Sequence, residues 1–490
     1  MDSPSPLSAS SLPAQSEHPS TPSSTLSSLR SSQEPFRAPV HNLPVELLSR
    51  IFLLGYSDGL DPHNPFKRAA LEAAPTFELL VSHVCHHWRR VALRTPRLWT
   101  HLRVRQASHV DRARAFAERS RTAHIDVYLE AAAAADHVSG RTLGLDDFAE
   151  VFAVLTPHSA RWRSLVVRVN DLAGQDAAYK CLAGVGRVPH LRTLQLWHLQ
   201  DWGSAQSLAA GTARPPRPLF VEHPPRLAHL SLVGVHLPWE QASWVRGLTH
   251  LELALHPEAV RPSAEQWERI FRRCPDLARL ALHYSGPRVE PVSRPFRTIW
   301  LPQLTHLSLS DTDLDMLCQI LRQLVMPNVR TLELELPDQD YTPALELISG
   351  KVFPHLDRLR VTALDCTADA WEAFLAAATT LSYLEVDFRR VPIALFAALV
   401  TRIPRPPDLA PDTPFSDVRL PNLQVLKVAG LRSCSMCQFM NFRRDAGHSV
   451  PQCFVHRTVR DREMDALCVQ YFVYSDDDDE DADELELLDE

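Results

Sequence analysis

A six-residue pattern, apolar-x-x-apolar-x-apolar, returns ten times between Trp162 and Val428, and it constrains this chain more than any other feature. The copies are Trp162/Leu165/Val167, Leu191/Leu194/Leu196, Leu227/Leu230/Leu232, Leu248/Leu251/Leu253 and Leu277/Leu280/Leu282. Then follow Leu304/Leu307/Leu309, Val329/Leu332/Leu334, Leu356/Leu359/Val361, Leu381/Leu384/Val386 and Leu423/Leu426/Val428. Alternate side chains of a strand point to opposite faces, so Leu230 and Leu232 turn inward while His229 and Ser231 turn outward. One unit cannot hide its apolar face alone. Stacked neighbours bury it continuously.

Most successive copies start 21 to 29 residues apart, within the leucine-rich-repeat range of about 20–29. Two longer gaps each hold a Pro-rich piece, at 211–218 and 402–414. Amphipathic stretches between copies, such as Leu314–Leu321 and Trp267/Ile270/Phe271, predict outer helices. The expected fold class is therefore α/β: a solenoid over 161–432 with parallel strands inside and helices outside. The usual repeat asparagine and tight period are missing, so an irregular horseshoe is expected. Each buried Leu contributes on the order of 1.5–3 kcal/mol.

The concave surface of such a stack carries the outward strand residues. Here these are Gln195, Trp197, His229, His250, His283, His306, Glu333, Glu335, Arg358, Arg360, Glu385, Asp387 and Lys427. Bands of alternating charge suit a folded or peptide partner, so Trp197, His229, His250, His306, Glu333, Glu335, Arg358, Arg360 and Glu385 are the candidate substrate-binding residues. Trp197 and Arg360 are the preferred anchors, because Trp and Arg dominate binding hot spots.

Upstream, residues 1–39 are Ser/Pro-rich with almost no aromatic residues, and a disordered tail is expected. Pro44 suits a first helical position and Glu46 a first turn, which predicts a helix over 43–55 with Leu47, Leu48, Ile51 and Phe52 on one face. A stripe of Phe77, Leu80, Val81, Val84, Trp88, Val91 and Ala92 predicts one further helix from Phe77 to Arg94, before Thr95-Pro96 stops it.

Residues 41–102 resemble the F-box. The resemblance rests on Leu43-Pro44-x-Glu46-Leu47-Leu48-x-x-Ile51-Phe52, Val84-Cys85-x-x-Trp88-Arg89 and Leu98-Trp99, in that order. About twenty extra residues separate the halves, between Gly55 and Thr76. Such inserts are similar to those in the large F-box families of mushroom-forming fungi. The resemblance implies docking on a Skp-type adaptor, and through it on a cullin ubiquitin ligase. The implied adaptor face is Leu43, Pro44, Leu47, Ile51, Phe52, Val84, Cys85 and Trp88. The alternative is a non-degradative interaction scaffold whose hairpin is only F-box-like. Between this unit and the repeats, 103–160 is expected to hold a strand at Ile125–Leu129 and an Ala-rich helix.

Charge and motifs exclude several other functions. The chain carries −8, and Asp476–Glu490 alone carries −11, leaving +3 on the body, so no nucleic-acid field is expected. No run approaches the roughly 18 apolar residues of a membrane helix. The first residues lack a secretory pattern. Nine cysteines, an odd number, argue for a reducing compartment, cytoplasmic or nuclear. Cys434 and Cys437, with His448, Cys453 and His456, offer candidate zinc ligands, though loop cysteines in a cap over 433–474 are the preferred reading. The acidic end, 475–490, reads as a solvated tail. No G-x-S-x-G, H-E-x-x-H or P-loop is present, so neither an enzyme nor a cofactor is expected.

Overall fold

The computed structural model describes residues 43–57, 76–200, 208, 219–289, 297–351, 353–405, 416–459, 462–467 and 469–472. The Ser/Pro-rich segment, most of the insert after Gly55, the piece at 211–218, most of 402–414 and the acidic end lie outside them.

Each of the ten sequence copies forms a strand of one parallel sheet. The strands are β3 (Trp162–Val169), β4 (Thr193–His198), β5 (His229–Val233), β6 (His250–Ala254), β7 (Arg279–His283), β9 (His306–Ser310), β11 (Thr331–Asp340), β12 (Arg358–Asp365), β13 (Tyr383–Asp387) and β14 (Val425–Ala429). Register keeps like with like: Leu230 pairs with Leu251, Leu251 with Leu280 and Leu280 with Leu307. These leucines form a fully buried row. A separate pair, β8 (Ile299–Trp300) and β10 (Leu324–Val325), lies outside the main sheet.

The main sheet has 14 strands, because two join at each end. β1 (His101–Val104) and β2 (Ile125–Ala131) precede β3, and β15 (Gln452–His456) and β16 (Gln470–Phe472) follow β14. The stack therefore runs past the 161–432 span that the pattern suggests. Val127 and Val455 continue the buried rows without a full Leu pattern. The Ala-rich stretch after β2 is not a helix. It turns at Ala134–Asp136, where Ala132 N–H donates to Leu143 O. Alanine favours helix only where a helix has a face to bury, and here that face belongs to the next helix, Asp147–Leu155.

Helices cover one face of the sheet. Ala264–Arg272 begins with a reciprocal cap in which Ser263 and Gln266 satisfy each other's backbone N–H groups, and it buries Trp267, Ile270 and Phe271. Leu314–Gln323 is capped by Asp313 and buries Met316, Leu317, Ile320 and Leu321. Several strands leave the sheet through a left-handed residue: Gly234, Leu255, Tyr284, Asp311 and Gly430. Two of these positions require glycine, because a Cβ would sit 2.9 Å from His198 O at Gly234 and 2.7 Å from Arg389 N at Gly430. No helix among the described residues is long and apolar enough to cross a membrane.

The N-terminal unit comprises α1 (Val45–Ser57), α2 (Phe77–His83) and α3 (His86–Leu93). The single helix expected over Phe77–Arg94 is thus two. Cys85 is extended (φ −160°, ψ 170°) and its Sγ accepts from Trp88 N–H, capping α3. Ser82, His83, Val84 and Cys85 are all poor helix formers, so the break falls where continuing costs most. Leu48, Phe52, Val91, Leu98 and Trp99 belong to the same continuous core as the strand leucines.

Polar contacts fix this unit to the sheet. Trp99 Nε1 donates to Ala92 O at 2.9 Å, and Ser49 and Thr95 hydroxyls meet at 3.0 Å. Asp126 on β2, 1% exposed, receives His101 Nε2 at 3.1 Å and Arg163 Nε at 2.9 Å. A carboxylate can only accept, so Nε2 carries a proton, and Nδ1 shares a hydrogen bond with the Tyr56 hydroxyl of α1. Burial would raise the Asp126 carboxyl, but the His101 and Arg163 hydrogen bonds outweigh it and hold it below the usual range. Burial and the nearby Glu78 carboxylate push the Tyr56 phenol up, so it remains a donor.

Candidate interaction surfaces

The first surface lies on α1 and the α2–α3 junction. Helical spacing puts Leu48 and Phe52 on one side of α1, where both are buried, and Leu47, Ile51 and Leu54 on another, where they are 47–58% exposed; Val45, in the first turn and in line with the buried pair, is 42% exposed. Leu80 and Val84 of the neighbouring segment add exposures of 50% and 59%. These six are half of the twelve large hydrophobic residues exposed among the described residues, gathered within one small unit. Such clustering on a soluble surface marks a contact site. Of the eight residues assigned from sequence, Pro44, Leu47, Ile51 and Val84 are exposed, while Leu43, Cys85 and Trp88 are half-buried. Phe52 is a correction. It is 1% exposed, packs against Trp88 at 5.0 Å between ring centroids, and serves the core. The sequence stripe could not separate the two sides of α1, because both are apolar.

The second surface is the sheet face opposite the helices. Side chains at alternate positions make rows across the strands, and most are bound to one another. Arg105 pairs with Glu130 at 2.6 Å, and Tyr128 donates to Glu130 at 2.9 Å. Arg168 donates to the Tyr128 oxygen at 3.2 Å and lies 5.2 Å from the Trp197 ring centroid. Trp197 Nε1 donates to Ser231 Oγ at 2.7 Å, and Ser231 donates to Glu252 at 2.6 Å. A second ladder begins further along. Arg360 and Lys427 flank Glu385 at 3.6 and 3.7 Å, and Tyr383 donates to Glu385 at 2.6 Å. Arg358 covers the Tyr383 ring at 4.0 Å, and Arg390 pairs with Glu335 at 2.9 Å. Gln195, Glu385 and Asp387 point the way the sequence predicts but are buried, Gln195 beside His229, Glu385 among the ladder contacts and Asp387 under Arg389.

Between the ladders the face opens. Ala281 on β7 and Ser308 on β9 occupy the positions where the flanking strands carry Glu252 and Glu333. A cavity of about 260 Å³ lies over them. Its lining includes His229, His250, Arg279, His306, Glu252 and Glu333. His229 and His250 stack at 5.2 Å. Thr249 Oγ1 donates to Ala228 O at 3.1 Å and therefore accepts from His250 Nδ1 at 2.8 Å. Thr305 orients His306 in the same way, through Ala278 O at 3.1 Å. Four sequence candidates (His229, His250, His306 and Glu333) thus share one cavity, whereas Trp197, Arg358, Arg360, Glu335 and Glu385 lie in the ladders. Sequence reasoning missed Glu252, Arg279, Ala281 and Ser308. Strand alternation would have placed all four on this face, but two small residues give no signal that they open a hole.

The candidate zinc residues do not gather. Cys434 and Cys437 sit on the helix Ser433–Asp445, not in a loop, and Cys453 is on β15 with its thiol directed to Pro451 O at 3.4 Å. His448 meets Ser416 at 3.2 Å and His456 meets Thr458 at 2.8 Å. No group of three metal-capable side chains is found among the described residues. Arg443 closes this end, buried with its guanidinium on Ser449 O at 2.9 Å and Leu420 O at 3.2 Å.

No family model matches this chain, and no curated protein matches it. Among solved structures, it is similar to a chain of the yeast Rad7 and Elc1 complex, at 13% identity and a TM-score of 0.35, over 76% of this chain and 72% of that one.

Proposed function

We propose that this protein is a substrate-recognition subunit of an SCF-type cullin ubiquitin ligase. Its helical unit docks a Skp-type adaptor, and the open face of the sheet holds a protein substrate. The cluster of exposed Val45, Leu47, Ile51, Leu54, Leu80 and Val84 carries the reading. It coincides with the segment that resembles the F-box, and an apolar patch of this kind gains most from burial against a partner. The chain itself performs no chemistry in this reading. It supplies proximity and orientation, and the shared core with the Tyr56–His101–Asp126–Arg163 contacts keeps substrate and adaptor at a fixed spacing. Co-purification with a Skp-type adaptor is the test. Capture of the adaptor by the intact chain, abolished by Leu47→Asp with Ile51→Asp, supports the reading. An intact, folded chain that never captures it leaves a non-degradative scaffold.

A further inference from the structure

Along the open face, the middle residue of each strand follows a sequence of charge. Glu333, Arg360, Glu385 and Lys427 alternate in sign on successive strands β11 to β14. On the other side, the ladder ends at Glu252 on β6. Between the two carboxylates stand only Ala281 and Ser308, and the cavity lies over them. Adjacent strands are about 4.8 Å apart, so the carboxylates are three spacings, roughly 14 Å, from one another. A positive group laid between them would continue the alternation on both sides.

We propose that this gap receives a lysine or arginine side chain of the bound protein. The inference rests on the reading that the open face holds a protein partner, and it names what that partner must present. The side chain would lie on Ala281 and Ser308 with its charge between Glu252 and Glu333, its stem against small residues and its donors near carboxylate and hydroxyl oxygens. Among the described residues, no side-chain hydrogen bond or ion pair engages Glu333, whereas Glu385 is held by three neighbours. Arg279 lines the same cavity two residues along β7 from Ala281, about 7 Å away by strand rise. Among the lining side chains, Arg279 sets one guanidinium against the two carboxylates of Glu252 and Glu333.

The probe is an octa-arginine peptide bearing a photo-crosslinker, compared with an octa-glutamate counterpart, on the full chain with crosslinked positions mapped by mass spectrometry. Mapping is needed because the acidic end Asp476–Glu490 will also attract the cationic peptide. Octa-arginine is expected to mark the segment from His250 to Glu335. That signal should fall at least tenfold in Glu252→Gln with Glu333→Gln, which keep the shape and remove the charge. Ala281→Arg places a cation in the gap from the chain itself, so it should block crosslinking and raise the melting temperature. Crosslinks confined to the acidic end, or gap crosslinks indifferent to both glutamates, overturn the proposal. Octa-glutamate marking the cavity overturns the cation assignment while leaving the open face as a binding surface. Neither peptide reaching that face would count against both.

Discussion

The helical unit and the open face of the sheet differ in how much of their binding capacity is already spent internally. On α1 and the α2–α3 junction, apolar side chains are exposed with no described residue folded over them, and the polar contacts lie behind, toward β1 and β2. On the sheet, charged and aromatic side chains are abundant, but ladders of hydrogen bonds and ion pairs occupy most of them. The comparison teaches that density of binding-type residues does not locate a site. Arg360 and Trp197 have the residue types of hot spots, yet each is engaged by neighbours, whereas Ala281 and Ser308 create the opening.

Four measurements break or sharpen this contrast. The largest effect of a substitution is expected inside α1 itself. Phe52→Ala should lower unfolding free energy by about 3–5 kcal/mol, read by urea denaturation, because it empties a core position. An effect below about 1 kcal/mol would mean that Phe52 faces outward after all. Leu47→Asp with Ile51→Asp, on the exposed side of the same helix, should weaken adaptor binding by roughly 100-fold, or about 2.7 kcal/mol, with little change in melting temperature. Titration calorimetry with a Skp-type adaptor checks this, and undiminished affinity would remove the distinction between the two sides of α1.

The third measurement concerns pH. His256 is buried, with Nδ1 on Ser285 at 2.9 Å and Nε2 on Val235 O at 2.9 Å, and burial lowers its pKa to about 4. His236 stacks edge-on against it at 5.6 Å, and burial with the nearby histidines lowers it to about 3. Both are neutral in the fold and near 6.5 when unfolded. Their contribution is complete above pH 6.5 and is lost as pH falls toward about 4 for His256 and about 3 for His236, by up to about 1.4 kcal/mol per pH unit per group. The Asp126 carboxyl works in the same direction at lower pH, since its folded pKa is depressed. Flat stability between pH 7 and 5 would show that these histidines are not held neutral. The smallest effect is expected for Arg360→Ala. Its pair with Glu385 is part-exposed, so stability should change by less than about 1 kcal/mol and substrate capture only modestly. A severe loss of capture would restore Arg360 as an anchor and blur the contrast between ladder and gap.

Several features were legible in the sequence because they depend on local periodicity. All ten repeat copies became strands, and Trp267, Ile270 and Phe271 and the Leu314 segment became outer helices. The strand expected at Ile125–Leu129 is β2, whereas β1, β15 and β16 escaped because buried rows accept Val, Cys and Tyr as readily as Leu, so the pattern fades while the stacking continues. The break at Cys85 escaped because the apolar stripe passes through it unchanged.

By itself, the sequence determined that the chain must stack, which residues of each strand turn inward, and where the N-terminal helical unit begins. These follow from the two-residue period of a strand and the 3.6-residue period of a helix. Only the tertiary structure decided which apolar side of α1 is buried, which charged side chains neutralise one another, and where the open face has room. Those outcomes depend on neighbours tens of residues away, 34 for Trp197 and Ser231 and 55 for Arg390 and Glu335. No local pattern encodes such distances, because register between strands is set by how the intervening helices and turns pack.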